Sequence, residues 1–276
     1  MSESLNLAYA AIDADNADSS AATRRQLVGG MAATLGGMGL LGLADSADAA
    51  SAKSARHTED PQTVLNVAAT AEVLATVINT VGSESVDFST GSNPAGTRLN
   101  IAAAARHELI HYNTLIGLGA KPLTTRVYVP DMVFSSNQAF LNTVEVGDTV
   151  FINAYLIAIT VFGNRDMGQV ARIASEFMAV EAVHRALARQ GNFKVGNDKA
   201  YVKYSQAEEA ADSPIRGVPG FRRITSAVTF LQSRGIGFGA VGRLPNGTTP
   251  PGRFYDFAEV SRRTPDPEFV NQRAPR

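Results

Sequence analysis

Four histidines occur in this chain of 276 residues, His57, His107, His111 and His184, and two of them close the same short pattern. Glu108-Leu109-Ile110-His111 and Glu181-Ala182-Val183-His184 each place a carboxylate three residues before an imidazole. On a helix, positions i and i+3 share a face, so each motif can offer an oxygen and a nitrogen to one ion. With twelve glutamates and four histidines, chance supplies about 0.17 such pairs per chain. One pair would carry little weight. Two, both inside long apolar segments, carry much more.

The stretches around both motifs have the pattern of buried faces. Ile101, Ala104, Glu108, His111, Leu115 and Leu118 form one stripe at helical spacing, and Val170, Ala174, Phe177, Glu181, His184 and Ala188 form another. A glutamate on such a stripe is costly unless it is paired or bound to a metal. Another acid, Glu72, lies within Ala68-Ala69-Thr70-Ala71-Glu72-Val73-Leu74, again on an apolar face. Glu145 and Asp148 share a face with Ile152 and Tyr155. Glu176 sits roughly 140° around its helix from Glu181, the place of a solvated acid.

These side chains need long helices to hold them at one level. Asp60-Pro61 reads as an N-cap followed by proline at the first helical position, opening a helix from Thr63 to about Val81. Residues 82–96 are a loop of Ser, Gly, Asn and Pro. A second helix runs from Pro94 or Thr97 to Leu118, where Gly117, Gly119 and Pro122 stop it. Thr124 to Phe134 contains Val127-Tyr128-Val129-Pro130 and reads as an extended crossover rather than a hairpin. A third helix runs from about Ser136 to Phe162, and a fourth from about Asp166 to Arg189, ending at Gly191. The link between the second and third helices, about 15 residues, reaches about 50 Å when extended. A 25-residue helix is about 38 Å long, so the link can run the length of a bundle. The expected fold class is all-α: a four-helix bundle with one long crossover between two antiparallel pairs.

Level-matching chooses between the two acids of the third helix. Glu181 is about 15 residues into its helix, Asp148 about 14 residues from the end of the preceding one, and Glu145 about 17. Asp148 therefore stands level with Glu181, and Glu145 lies about 4–5 Å further along. Glu72, about 9 residues from its helix end, matches Glu108, about 11–14 from its start. Asp148 is the expected contributor, with Glu145 as substitute.

With these residues in place the chain resembles the ferritin-like superfamily, over about residues 62–191. In that class, a Glu from each of two helices joins a Glu-x-x-His from each of the other two around two iron or manganese ions. More narrowly, the chain is similar to ferritin-like domain proteins that carry export signals, among them desiccation-related proteins. Gly117-Leu118-Gly119-Ala120-Lys121-Pro122 and Ala154-Tyr155 also look like that family. The resemblance implies Glu72, Glu108, His111, Glu181 and His184 as metal ligands, with Asp148 where the family pattern has Glu. It further implies open positions for dioxygen or peroxide, and Fe(II) oxidation or peroxide handling in stress protection. Tyr112 and Tyr155 are expected beside the ligands.

Outside the bundle, Arg24-Arg25 precede a Gly-, Ala- and Leu-rich run that ends near Ala47-Asp48-Ala49. Paired arginines before a modest apolar run resemble a twin-arginine export signal, here residues 1–49, and imply the twin-arginine machinery as partner. The expected location is the periplasm or surface of a prokaryotic cell, with no stable membrane span after cleavage. Removing residues 1–49 leaves 23 basic and 20 acidic residues. Residues 50–61 read as a linker, in which His57 is inert. Residues 192–276 read as a loop-rich extension. Residues 214–276 carry ten arginines against four acids, the tail of a bundle with a homo-oligomer left open. Ile224 to Ser233 is expected to form a short fifth helix, and Gly235 to Gly252 a Gly/Pro-rich loop. Gly237-Phe238-Gly239-Ala240-Val241-Gly242 matches G-x-G-x-x-G, but it follows a helical segment rather than a strand and reads as part of that loop.

Composition removes several other classes. No cysteine means no disulfide, zinc ribbon, thiolate cluster or cysteine nucleophile. No tryptophan, 7% aromatics and a net charge of −1 argue against a nucleic-acid surface. Two rivals stay open on sequence. His107-Glu108-Leu109-Ile110-His111 also spells the H-E-x-x-H of zinc metalloproteases, with His107 and His111 on zinc and Glu108 as base. That reading leaves Glu72, Asp148 and the second motif unexplained. A metal-free structural or stress-associated bundle, its acids satisfied by His and Tyr hydrogen bonds, is the other.

Overall fold

The structure, a computed structural model, describes residues 59–197 and 223–267. The first helix, α1, spans Pro61–Ser85. Asp60 caps it, accepting from the Thr63 backbone N–H at 2.9 Å, with Pro61 at the first helical position. It continues past Val81 because the Ser83 and Ser85 hydroxyls donate back to the Thr80 and Val81 carbonyls. α2 is Pro94–Gly117, capped by Asn93, and α3 is Asn137–Gly163, capped by Ser136. α4 is Gly168–Gly191. It starts two residues later than expected because Asp166 takes a left-handed turn at φ 58°.

α1 packs on α2, and α3 on α4. The two pairs meet through α1 against α3 and α2 against α4. All these neighbours run antiparallel. Gly82, near the end of α1, faces the Phe140 ring at the start of α3. Tyr155, near the end of α3, reaches Glu72 on α1. At the α2/α4 seam, Gly191 closes on Thr97, and its carbonyl accepts from Ser92 N–H at 3.1 Å. The α2–α3 link must therefore run the length of the bundle. α1 and α3 are long and apolar enough to cross a membrane by length and composition, yet 89% and 61% of those stretches are buried in the structure. Apolarity on every side is what a central bundle helix requires.

Two expectations are corrected. The crossover is not merely extended: its strand β1 (Arg126–Pro130) is the middle of a three-stranded antiparallel sheet, between β2 (Gly237–Phe238) and β3 (Gly252–Asp256). Val127 pairs with Phe238 on one side and Tyr255 on the other. Nor is the described part of the C-terminal extension irregular. α5 (Ile224–Ser233) lies against α3, and α6 (Phe257–Ser261) packs on α1. Thr80 on α1 and Thr264 just beyond α6 share a hydrogen bond of 3.0 Å. Residues 223–267 belong to the same compact unit as the bundle. The sheet escaped notice because a two-residue strand shows no period of its own, and its partner lies more than a hundred positions away.

The G-x-G-x-x-G glycines have a packing reason. A Cβ on Gly237 would lie 2.0 Å from the Ala240 carbonyl oxygen, and one on Gly242 would lie 1.7 Å from that of Gly235. Gly239 sits at φ 73°, where side chains are strained. The motif folds a tight turn beside β2. The export-signal region, with Arg24, Arg25 and His57, lies outside the described residues.

The α1/α3 contact gives a direct check. A Cβ on Gly82 would sit 2.1 Å from the Phe140 ring. Gly82→Ala should therefore lower stability by about 1–3 kcal/mol through overpacking, despite the better helix propensity of alanine. Denaturant unfolding measures this, and an unchanged or raised midpoint would contradict the close packing.

Candidate metal centre

Halfway along the bundle, each long helix turns an acid inward. α1 supplies Glu72, α2 Glu108 and His111, α3 Asp148, and α4 Glu181 and His184. All are buried, and Glu72, Glu108 and Glu181 have no exposed surface. Their donor atoms form two adjoining groups. Glu72, Glu108, His111 and Glu181 make one, and Glu108, Asp148, Glu181 and His184 the other, each with its atoms within 4.8 Å of one another. Glu108 and Glu181 belong to both.

The imidazoles face these carboxylates through Nδ1. His111 Nδ1 lies 3.3 Å from Glu181 Oε1, 3.4 Å from Glu108 Oε2 and 3.7 Å from Glu72 Oε1. His184 Nδ1 lies 3.1 Å from Glu108 Oε1 and 3.5 Å from Glu181 Oε2. The donor set passes a test of fit for a metal. Glu72 Oε2, Glu108 Oε2, Asp148 Oδ2, both Glu181 oxygens and both Nδ1 atoms are buried without a hydrogen-bond partner. Orphaned polar atoms are rare in protein interiors. Here they converge, and they are the oxygens and nitrogens that hard or borderline divalent ions take.

The electrostatics agree with a site built for positive charge. Burial, with the Glu108 charge next, pushes the Glu72 carboxyl well above the usual carboxylate range. Burial and then Glu181 do the same to Asp148. Burial also pushes Glu108 upward, but the His184 and His111 imidazoles overcome it and hold that carboxyl below its usual range. Both imidazoles are themselves raised, since the surrounding carboxylates outweigh the burial that would lower them. Metal-free, the centre holds protons where a cation would otherwise sit.

Several neighbours complete the surroundings. The Tyr155 hydroxyl donates to Glu72 Oε1. Burial and then the Glu72 charge raise that phenol well above its ordinary value. Phe177 stacks on His111 with ring centroids 4.0 Å apart. An apolar cavity bordered by Leu65, Ala68, Leu115, Tyr155, Phe162 and Phe177 adjoins this side. Asn79 Nδ2 donates to Glu108 Oε1 at 3.4 Å. It follows Glu72 by seven residues, so its presence on the same face was readable from helical spacing. His107 Nδ1 contacts His184 Nε2 at 3.0 Å. No spacing rule pointed to that pair.

Glu145 and Tyr112 stand elsewhere. Glu145 pairs with Arg189 and with Lys194 Nζ at 2.5 Å, clasping the turn after α4. It belongs to neither donor group found among the described residues. Tyr112 packs on Phe257 of α6, with ring centroids 4.3 Å apart. That partner could not be named before the C-terminal segment was placed. The H-E-x-x-H arrangement does not form either. His107 turns to His184 and belongs to neither donor group found among the described residues.

Four antiparallel helices with a long crossover, carrying two Glu-x-x-His motifs at one level, define a ferritin-like bundle. The family model of the ferritin-like domain matches residues 60–193, the stretch that holds α1 to α4. No curated protein and no solved structure matches the chain.

Two predictions follow from this geometry. Asp148→Ala should reduce bound metal without a large loss of stability. Glu145→Ala should leave metal content unchanged but cost about 1–3 kcal/mol, because the buried Arg189 loses the carboxylate that accepts from it. Elemental analysis and denaturant unfolding of both variants separate the two roles. The second concerns pH. His111, His184, Glu72 and Asp148 all bind protons more tightly folded than unfolded. Stability of the metal-free protein should therefore fall as pH rises from about 6 to 8.5, a window that begins above the unfolded carboxylate values and crosses that of histidine. The lowered Glu108 acts in the opposite sense only below about pH 4.5. Added Mn(II) should raise Tm more at pH 8.5 than at pH 6, since it replaces protons. Thermal melts at both pH values test this, and a metal-free Tm that climbs with pH would refute it.

Proposed function

We propose that the protein is an exported, carboxylate-bridged dinuclear metal protein that uses iron or manganese to act on Fe(II), dioxygen or peroxide in stress protection. The observation that carries the reading is the sharing of Glu108 and Glu181 between two adjoining donor groups. Glu72 and His111 would complete one metal position, and Asp148 and His184 the other. Two divalent ions would balance the four carboxylates. Once bound, such a pair supplies one- and two-electron chemistry on small oxygen species.

The chain's own residues set the conditions. Glu108 and Glu181 would each serve both positions. The Tyr155 hydroxyl holds a proton at Glu72 Oε1. The Phe177 ring and the apolar side chains beside it cover the His111 side of the centre. Arg24-Arg25 and the apolar run after them support export of the folded, loaded protein to the periplasm or cell surface. A role among desiccation-related proteins rests on family likeness.

Elemental analysis of the full chain, wild type against Glu108→Ala and Glu181→Ala, tests the reading. The expected result is close to two Fe or Mn per wild-type chain, lost in both variants. One zinc, retained in Glu181→Ala, would restore the H-E-x-x-H reading. No metal in any of the three would leave a structural bundle.

A further inference from the structure

The geometry points to His107 as the positioning residue for His184. Its Nδ1 accepts the His184 Nε2–H, so the Asp148 half of the centre depends on a side chain that itself holds no ion. The inference rests on the two-ion reading above. The two nitrogens are 3.0 Å apart, and the rings lie nearly parallel, 10° between planes with centroids 5.3 Å apart. His184 is almost wholly buried, whereas His107 is half-buried at the α2/α4 seam.

The direction of the bond follows from the other His184 nitrogen. Nδ1 faces Glu108 Oε1 at 3.1 Å and Glu181 Oε2 at 3.5 Å. With an ion held there, Nδ1 must present its lone pair, so the single ring proton sits on Nε2 and points at His107 Nδ1, which accepts it, with the His107 proton on its own Nε2. An imidazole ligand whose other nitrogen is held this way is fixed in tautomer and rotation, which typically accounts for a 10–100-fold effect on metal affinity.

The other half is held differently. His111 is braced by the face of Phe177 rather than by a second imidazole. Loss of His107 should therefore weaken one position and spare its neighbour.

The experiment is an equilibrium Mn(II) titration of the full chain, read by electron paramagnetic resonance, on wild type, His107→Leu and His107→Asn. Wild type should take up two ions. His107→Leu should keep one step unchanged and weaken the other about 10–100-fold. His107→Asn, which returns an acceptor oxygen near the Nδ1 position, should restore that step to within about threefold of wild type. Nitrogen-15 NMR of the chains loaded with diamagnetic Zn(II) supplies a second readout: a hydrogen-bonded His184 Nε2–H in wild type and His107→Asn, lost in His107→Leu. Two unaltered steps in His107→Leu, an equal fall in both steps together with Tm, or failure of His107→Asn to rescue would each overturn the positioning role while leaving the two-ion reading intact. A wild-type chain that binds no Mn(II) and no other metal overturns both.

Discussion

Four carboxylates, Glu72, Glu108, Asp148 and Glu181, stand together in the dry centre of a helical bundle, and the rest of the structure is arranged around that fact. Isolated charges cannot be buried at such density, because desolvation costs several kcal/mol for each ion. They must be neutralised, either by cations or by protons. The upward shifts at Glu72, Asp148, His111 and His184 describe the proton solution. Two divalent ions, as proposed, would be the other. Either would neutralise the same cluster, so protons and metal would compete for it.

Placing one acid from every helix at one level is a demand on topology. Adjacent helices must run antiparallel, and the link from α2 to α3 must cover the length of the bundle. A long link of that kind carries a closure cost and exposes backbone groups that need partners. Here β1 lies between β2 and β3, so its backbone is paired on both sides. α6 and Thr264 tie the end of this segment back to α1. The C-terminal segment thus pairs the crossover and ties it to α1. The register of α3 against α4, set at their own turn, decides whether Asp148 or Glu145 stands level with Glu181, a difference of about 4.5 Å along the helix.

The long helices were legible because their signals are local. Asp60-Pro61, Asn93-Pro94 and Ser136 mark starts by capping chemistry, and the apolar stripes set the inward faces. The six converging residues were legible for the same reason, since charge on an apolar stripe demands an account. Asp148 could be separated from Glu145 by counting rise per residue. What the sequence hid is what depends on distant partners. β2 is too short to have a period. Glu145 looked like a ligand until Arg189 and Lys194, which bind it across a turn, were in place. Tyr112 is one position from His111 and therefore about 100° round the helix, so only the location of Phe257 could say what it touches. His107 had been noticed only as part of a protease pattern, because its partner lies 77 residues away.

The two halves of the centre are not equivalent, and the difference has a physical direction. The Glu72 half has the longer carboxylate arm, the Tyr155 hydroxyl on that carboxylate and the Phe177 face on its imidazole. The Asp148 half has a shorter arm, which reaches less far toward a shared ion. It also has a buried arginine nearby: Arg185, whose charge acts on Asp148 while its Nε donates to Thr149 Oγ1 at 2.9 Å. A fixed positive charge close to one ligand raises the cost of adding a cation there, and at a distance of several ångströms inside protein this amounts to kcal/mol. Were two ions bound as proposed, these differences would make the Glu72 side hold its ion more tightly than the Asp148 side.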